Sequence, residues 1–139
     1  MSRSVFLDAS FWIVYRDECE VRHPVARQTV IELFRQRARL VTTFPVVCEI
    51  HAYFSRHRRK RELILNELWN NPILLIEEVS SKDQEMAVSL LRAQTDKSYS
   101  LCDALSCVVM RRLKIKQVAS FDDHFRQMGE FEIIPQSHV

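Results

Sequence analysis

The sequence predicts an α/β fold in which a parallel sheet is covered by helices on both faces. Three observations carry this. Val5-Phe6-Leu7 and Ile73-Leu74-Leu75-Ile76 are short apolar runs without alternation, the pattern of strands buried on both sides. Such runs alternate with stretches of helical periodicity, which calls for parallel strands joined by helical crossovers. Asp8 stands directly at the end of the first run, and an unpaired carboxylate is too costly for a core, so it marks where the strand opens into a cleft. In such sheets ligands bind beyond the carboxyl ends of the strands, where the strand order reverses.

The remaining elements follow in order. Ser10–Tyr15 begins a helical turn packed on the sheet, and Asp17–His23 is a polar connection. Pro24 suits the first turn of a helix whose apolar positions include Val25, Thr29, Ile31, Leu33 and Phe34, running to about Arg39. Leu40–Thr43 is a strand, and Pro45 starts a helix from Val46 to about His57. A further helix presents Leu63, Leu65, Leu68 and Trp69 as its apolar side and stops at Asn70-Asn71-Pro72. After the Ile73–Ile76 strand, Ser80 or Ser81 caps a helix through about Ala93, and Thr95–Ser100 is a polar turn. Leu101–Leu113 is a nearly all-apolar, hence buried, helix. Gln117–Ser120 is a strand ending in Phe121-Asp122-Asp123-His124-Phe125, and Phe131–Pro135 is a last, edge strand.

Bulk properties narrow the function. The 139 residues form one domain, 1–139, and 47% apolar with 27% charged residues is ordinary for a soluble protein. No apolar run reaches the ~18 residues of a membrane helix, and the start of the chain has no secretory h-region. The four cysteines (Cys19, Cys48, Cys102, Cys107) lack CxxC spacing and read as reduced, buried side chains of a cytoplasmic protein. A net charge of +2 does not by itself imply nucleic acid. The single glycine, Gly129, excludes Gly-rich phosphate loops, so phosphate chemistry here needs a metal and side chains.

Four acids attract attention, each beside a local alternative. Asp8 and Asp122 both follow strands and so project from one sheet edge. Locally, Asp8 would cap the turn at Ser10, and Asp122 sits in a possible Ser120-x-x-Asp123 capping box. Glu49 has Pro45, Val46, Ala52 and Tyr53 as its helical neighbours, an apolar stripe where a solvated glutamate is out of place. Asp103 is the only charge in Leu101–Met110, and it also completes a Ser100-x-x-Asp103 box. Four carboxylates on one edge repel; at ~5 Å and an effective dielectric of ~20 each pair costs roughly 3 kcal/mol. Either some are protonated or a cation sits between them. Oxygen-only ligands favour Mg²⁺ or Mn²⁺ over zinc, and such a site activates water for attack on a phosphodiester.

Val-Phe-Leu-Asp8-Ala-Ser, Val-Val-Cys-Glu49-Ile, Ser100-Leu-Cys-Asp103-Ala-Leu-Ser and Ser120-Phe-Asp122-Asp-His-Phe resemble the acidic signatures of the PIN domain, and the length resembles VapC-type toxins of toxin–antitoxin pairs. The resemblance runs from about Val5 to Pro135. It implies a three-layer α/β/α fold whose five-stranded parallel sheet has order 3-2-1-4-5, so that Asp8 and Asp122 face each other across the reversal. It also implies a Mg²⁺- or Mn²⁺-dependent endoribonuclease leaving a 5′-phosphate and a 3′-hydroxyl, homodimers, an RNA substrate and a cognate antitoxin. By motif match Asp8, Glu49, Asp103 and Asp122 are the metal-binding, catalytic acids. Ser10 stands where relatives place a hydroxyl, and Asp123 and Asp96 are extra acids without an assigned role.

Other features stay open at this level. Arg56, Arg58, Arg59, Lys60 and Arg61 either hold RNA phosphates or antitoxin, or form a solvated helix end favoured by the dipole. Trp69 reads as core. Among His23, His51, His57, His124 and His138, only His124 adjoins the site, where proton transfer competes with surface packing. The competing functions are a PIN nuclease of RNA processing, a non-cleaving RNA-binding module, and an aspartyl-phosphate enzyme or receiver. The phosphatase form of the last wants an acid at position 10, which is serine here.

Overall fold

Residues 3–136 are described in this computed structural model, so His138 lies outside the described residues. The elements run β1 (Ser4–Leu7), α1 (Ala9–Arg16), α2 (His23–Arg35), β2 (Arg39–Thr43), α3 (Phe44–Tyr53), α4 (Arg58–Trp69), β3 (Leu74–Glu77), α5 (Ser81–Ala93), α6 (Leu101–Leu113), β4 (Gln117–Ala119), α7 (His124–Met128) and β5 (Glu132–Ile134). The sheet order is β3-β2-β1-β4-β5 with every pair parallel, the order the resemblance implies.

Handedness turns that order into layers. Right-handed crossovers from β1 to β2 to β3 place α1 to α4 on one face. The return from β3 to β4 reverses direction and places α5 and α6 on the other. Packing agrees: α1 lies on α2 and α3, and α3 on α4, whereas α5 lies on α6 and α6 on α7. β1 is the central strand, and Val5, Phe6 and Leu7 are buried on both faces. Burying each such side chain contributes about 2 kcal/mol. The strand reversal falls between β1 and β4, where Phe6 pairs with Val118 and Leu7 with Ala119.

Several helical phases differ from the sequence expectation. On α2 the buried positions are Ala26, Thr29, Val30 and Leu33, while Val25, Ile31 and Phe34 are exposed. On α4 they are Ile64 and Leu68; Leu63 is exposed and Trp69 is 60% exposed, not core. Trp69 instead meets Phe44 edge to face at 5.9 Å on the surface. Both helices have more apolar residues than one stripe can hold, so periodicity alone selects the wrong subset. All four cysteines are free, but Cys19 and Cys48 are exposed; Cys107 alone is fully buried. The helix expected to reach His57 ends at Tyr53, so the basic run opens α4 rather than closing α3. Arg58 to Arg61 then face the positive end of the helix dipole, with no acid in that turn.

Ser80 caps α5 through a reciprocal box with Asp83. Arg112 on α6 clamps the Asp83 carboxylate at 3.1 and 3.0 Å, and also reaches Glu77 and the Glu78 carbonyl. Burial pushes the Asp83 carboxyl up, but the Arg112 and Ser80 hydrogen bonds outweigh it and hold the group below the usual carboxylate range. Replacing Arg112 by Met leaves that buried charge unpaired. The expected cost in urea unfolding is about 2 kcal/mol, less than for a fully buried pair because Arg112 is partly exposed. Adding Asp83→Asn should recover part of the loss.

Candidate active site

Asp8 occupies the position before α1, yet its side chain caps nothing. Its backbone N–H donates to the Ala119 carbonyl at 3.1 Å, extending the β1–β4 ladder by one bond. Its Oδ2 accepts from two hydroxyls, Ser10 Oγ at 2.6 Å and Ser120 Oγ at 3.0 Å. Each hydroxyl in turn accepts a backbone N–H from the segment leaving β4: Phe121 donates to Ser10 at 3.0 Å and Asp122 to Ser120 at 3.1 Å. The two strand ends are thus tied through one carboxylate that is 3% exposed.

Asp103 is held by the box foreseen from the sequence. Ser100 Oγ accepts from the Asp103 N–H at 3.2 Å, and Asp103 Oδ2 accepts from the Ser100 N–H at 2.9 Å. The box also points this buried carboxylate toward His124, whose Nδ1 lies 2.7 Å from Asp103 Oδ2 and 3.6 Å from Asp122 Oδ2. That nitrogen is buried and has no aligned hydrogen-bond partner. Ligand atoms of Asp103, Asp122 and His124 lie within 4.8 Å of one another. The possible Ser120-x-x-Asp123 box is not formed: Ser120 Oγ accepts from the Asp122 N–H, the Ser120 N–H donates to the Ile134 carbonyl, and the Asp123 side chain caps nothing.

The electrostatics report the crowding. The Asp8 carboxyl is pushed up to about 6, first by burial and then by the charges of Asp122 and Asp103, against the lowering effect of the Ser10 and Ser120 hydroxyls. Asp122 is also raised, by burial first and with Asp103 and Asp123 adding to it, while His124 and Arg22 pull it back. Asp8, Asp103 and Asp122 therefore share one site at the carboxyl edge of β1 and β4. An orphaned ring nitrogen beside carboxylates that repel one another is what a divalent cation would satisfy, and the donor set fits one.

Glu49 is exposed on α3, and the stripe that singled it out is not a buried one. Ala52 and Tyr53 are exposed, and the helix packs through Val46, Val47 and Ile50. Glu49 nonetheless meets the Cys102 thiol, which neighbours Asp103. Burial pushes that thiol up first, and the bond to Glu49 adds to it. Glu49 is thus on the rim of the site. Asp96 stands apart in the exposed turn before α6, 3.9 Å from Lys97, and Asp123 is exposed and pairs with Arg126 at 3.4 Å. The basic run is exposed or half-buried at the start of α4, with Arg61 donating to the Ser55 carbonyl. Sequence reading missed Ser120 and Arg22, and weighted His124 toward surface packing. Ser120 differs from any other strand-end serine only by its pairing with β1, which no local pattern reveals.

The raised Asp8 carboxyl has a sign to test. Its folded value exceeds the unfolded one near 3.8, so its contribution is complete below that and is lost as pH rises toward about 6. In chelator, the unfolding free energy of wild type measured against that of Asp8→Asn should fall by about 3 kcal/mol between pH 4 and 7. Asp8→Asn should be the more stable of the two at pH 7. Urea titrations across the range measure both.

The PIN domain family matches residues 5–130. The 23S rRNA-specific endonuclease VapC20 of Mycobacterium tuberculosis is 26% identical over 134 residues, covering 95% of this chain and 99% of that protein. A crystal structure of M. tuberculosis VapC20, described as a sarcin–ricin loop cleaving toxin, superposes with a TM-score of 0.81 at 24% identity, covering 92% of this chain and 97% of that one. FitAcB from Neisseria gonorrhoeae shares the fold at a TM-score of 0.67 and 11% identity, covering 97% and 99%. With the sheet order, the strand-end acids and a match across nearly the whole length, this chain belongs to the PIN-domain family.

Proposed function

We propose that the protein is a divalent-metal-dependent endoribonuclease and the toxin of a toxin–antitoxin pair. The observation that carries the reading is the grouping of Asp103, Asp122 and His124, whose ligand atoms lie within 4.8 Å of one another, beside the buried Asp8, whose carboxyl feels the charges of both acids. Support for RNA as substrate comes from full-length similarity to a 23S rRNA-specific endonuclease. A toxin of this kind acts in the cytoplasm and needs a neutralising antitoxin, and the family resemblance adds a homodimer. Among the described residues no helix is long and apolar enough to cross a membrane.

Asp8, Asp103 and Asp122 would hold the ion, Mg²⁺ or Mn²⁺, with Glu49 completing the set from the rim. When bound, it lowers the pKa of water and offsets charge on the phosphoryl oxygens. The chain's own residues supply the geometry. Ser10 and Ser120 fix the Asp8 carboxylate by both donating to one of its oxygens, Oδ2. The capping box fixes Asp103 at the rigid start of α6. His124 sets its Nδ1 edge between Asp103 and Asp122, at 2.7 and 3.6 Å. Water attacking in line would expel the 3′-oxygen and leave a 5′-phosphate.

Two experiments test this. In cells, induction of wild type followed by sequencing of RNA ends should reveal discrete new 5′-phosphate ends, absent with Asp8→Asn or Asp103→Asn. In vitro, those variants should lose at least about a hundredfold in cleavage rate, whereas Glu49→Gln should lose about tenfold. Chelator should abolish wild-type cleavage and Mn²⁺ restore it; cleavage that persists in chelator would refute the metal reading. Mn²⁺ should also raise the melting temperature of wild type and leave that of Asp103→Asn unmoved.

A further inference from the structure

Next to the acids a cleft of about 210 Å³ opens between the start of α2 and α7, lined by Arg22, Val25, Phe121, Asp122, Arg126 and Pro135. Ser120, the serine that holds Asp8, also lines it, so cleft and acid site are continuous. Its two cations stand differently. Arg126 is a free-swinging surface side chain with one long contact to Asp123, at 3.4 Å. Arg22 is fixed: its guanidinium lies over the Phe121 ring at 4.9 Å, and its Nε donates to Glu20 Oε1 at 2.9 Å. Phe121 is in turn stacked on the buried Phe11, with ring centroids 5.6 Å apart and planes within 6°.

This arrangement uses the ring face and the Nε of Arg22 and leaves both terminal amino groups without a partner among the described residues. A guanidinium oriented in advance, with two parallel N–H donors free, matches the oxygens of a phosphate. Arg22 and Asp122 line the same cleft, so the guanidinium stands on the acids' side of the molecule rather than on a remote face. Val25, Phe121 and Pro135 supply an apolar wall of the kind a sugar or base edge packs against.

We infer that this cleft is the subsite for the RNA nucleotide adjoining the scissile bond, with Arg22 as the positioning residue that clamps its backbone phosphate and Arg126 as a weaker second contact. The inference rests on the nuclease reading and adds to it where along the strand the chain grips. A rigid clamp one phosphate away fixes the scissile group over the acids, and a short misplacement of a reacting group is costly in rate.

The test uses a labelled short single-stranded oligoribonucleotide and the full chain carrying Asp8→Asn, so that binding is read without cleavage. Arg22→Ala should weaken binding about tenfold and reduce the slope of log affinity against log salt by about one. Arg126→Ala should have a smaller effect in the same direction, and Arg22→Lys should keep the salt slope while losing part of the affinity. Arg92→Ala, on the exposed end of α5, is the control. In the Asp8-containing protein, Arg22→Ala should raise KM more than it lowers kcat. Affinity and slope for Arg22→Ala equal to the control would overturn the subsite. Cleavage with a KM independent of Arg22 would overturn it too, and leave the nuclease standing. Arg22-dependent binding in a wild type that cuts none of the RNAs offered would sink the nuclease reading and leave the subsite.

Discussion

The register of β1 against β4 is the constraint on which the site depends. Leu7 opposite Ala119 puts the next residue of each strand, Asp8 and Ser120, side by side at the point where the sheet changes direction. A carboxylate buried there must be hydrogen-bonded, and the two serines, 3.1 Å apart, meet that need together at one oxygen while pinning the loop that carries Asp122. The same residue is therefore a structural tie between strands and the deepest member of the acid cluster. Its raised carboxyl shows that the two duties conflict when no cation is present.

The chain uses one local device twice with different outcomes. Ser-x-x-Asp opens both α5 and α6, and in each helix the aspartate closes a reciprocal box and is buried. Asp83 meets the fixed cation of Arg112 and becomes a bolt between α5, α6 and β3. Asp103 meets an imidazole and other acids instead of a guanidinium clamp. Capping rules describe how each aspartate is held; only the facing element decides whether the charge is spent internally.

How much of this could be read in advance follows from the range of each interaction. The strands and Asp8 were legible because an apolar run ending in a carboxylate is a contiguous signal, and strand-end placement brought Asp122 to the same edge. The Asp103 box was legible because its partners are three residues apart. Ser120, His124 and Arg22 take their meaning from contacts across more than ninety residues or between segments that meet only in the fold, so nothing near them in sequence marks them. Glu49 was found by an argument that holds only in part: Val46 is buried, but Ala52 and Tyr53 face solvent, and the link of Glu49 to the site is the Cys102 thiol on another helix. Trp69 and the α4 phase failed because that helix offers two overlapping apolar stripes, and packing against α3 makes the choice.

The acids that meet at this edge are far apart along the sequence, and hence in the order of synthesis. Asp8 directly follows β1, whereas β4 and Asp122 come only after α6. Until β4 pairs with β1, Asp8 has no Ser120 to hold it and no Asp122 beside it. A growing polypeptide therefore carries the separate acids but not their cluster, which exists only once the sheet is complete.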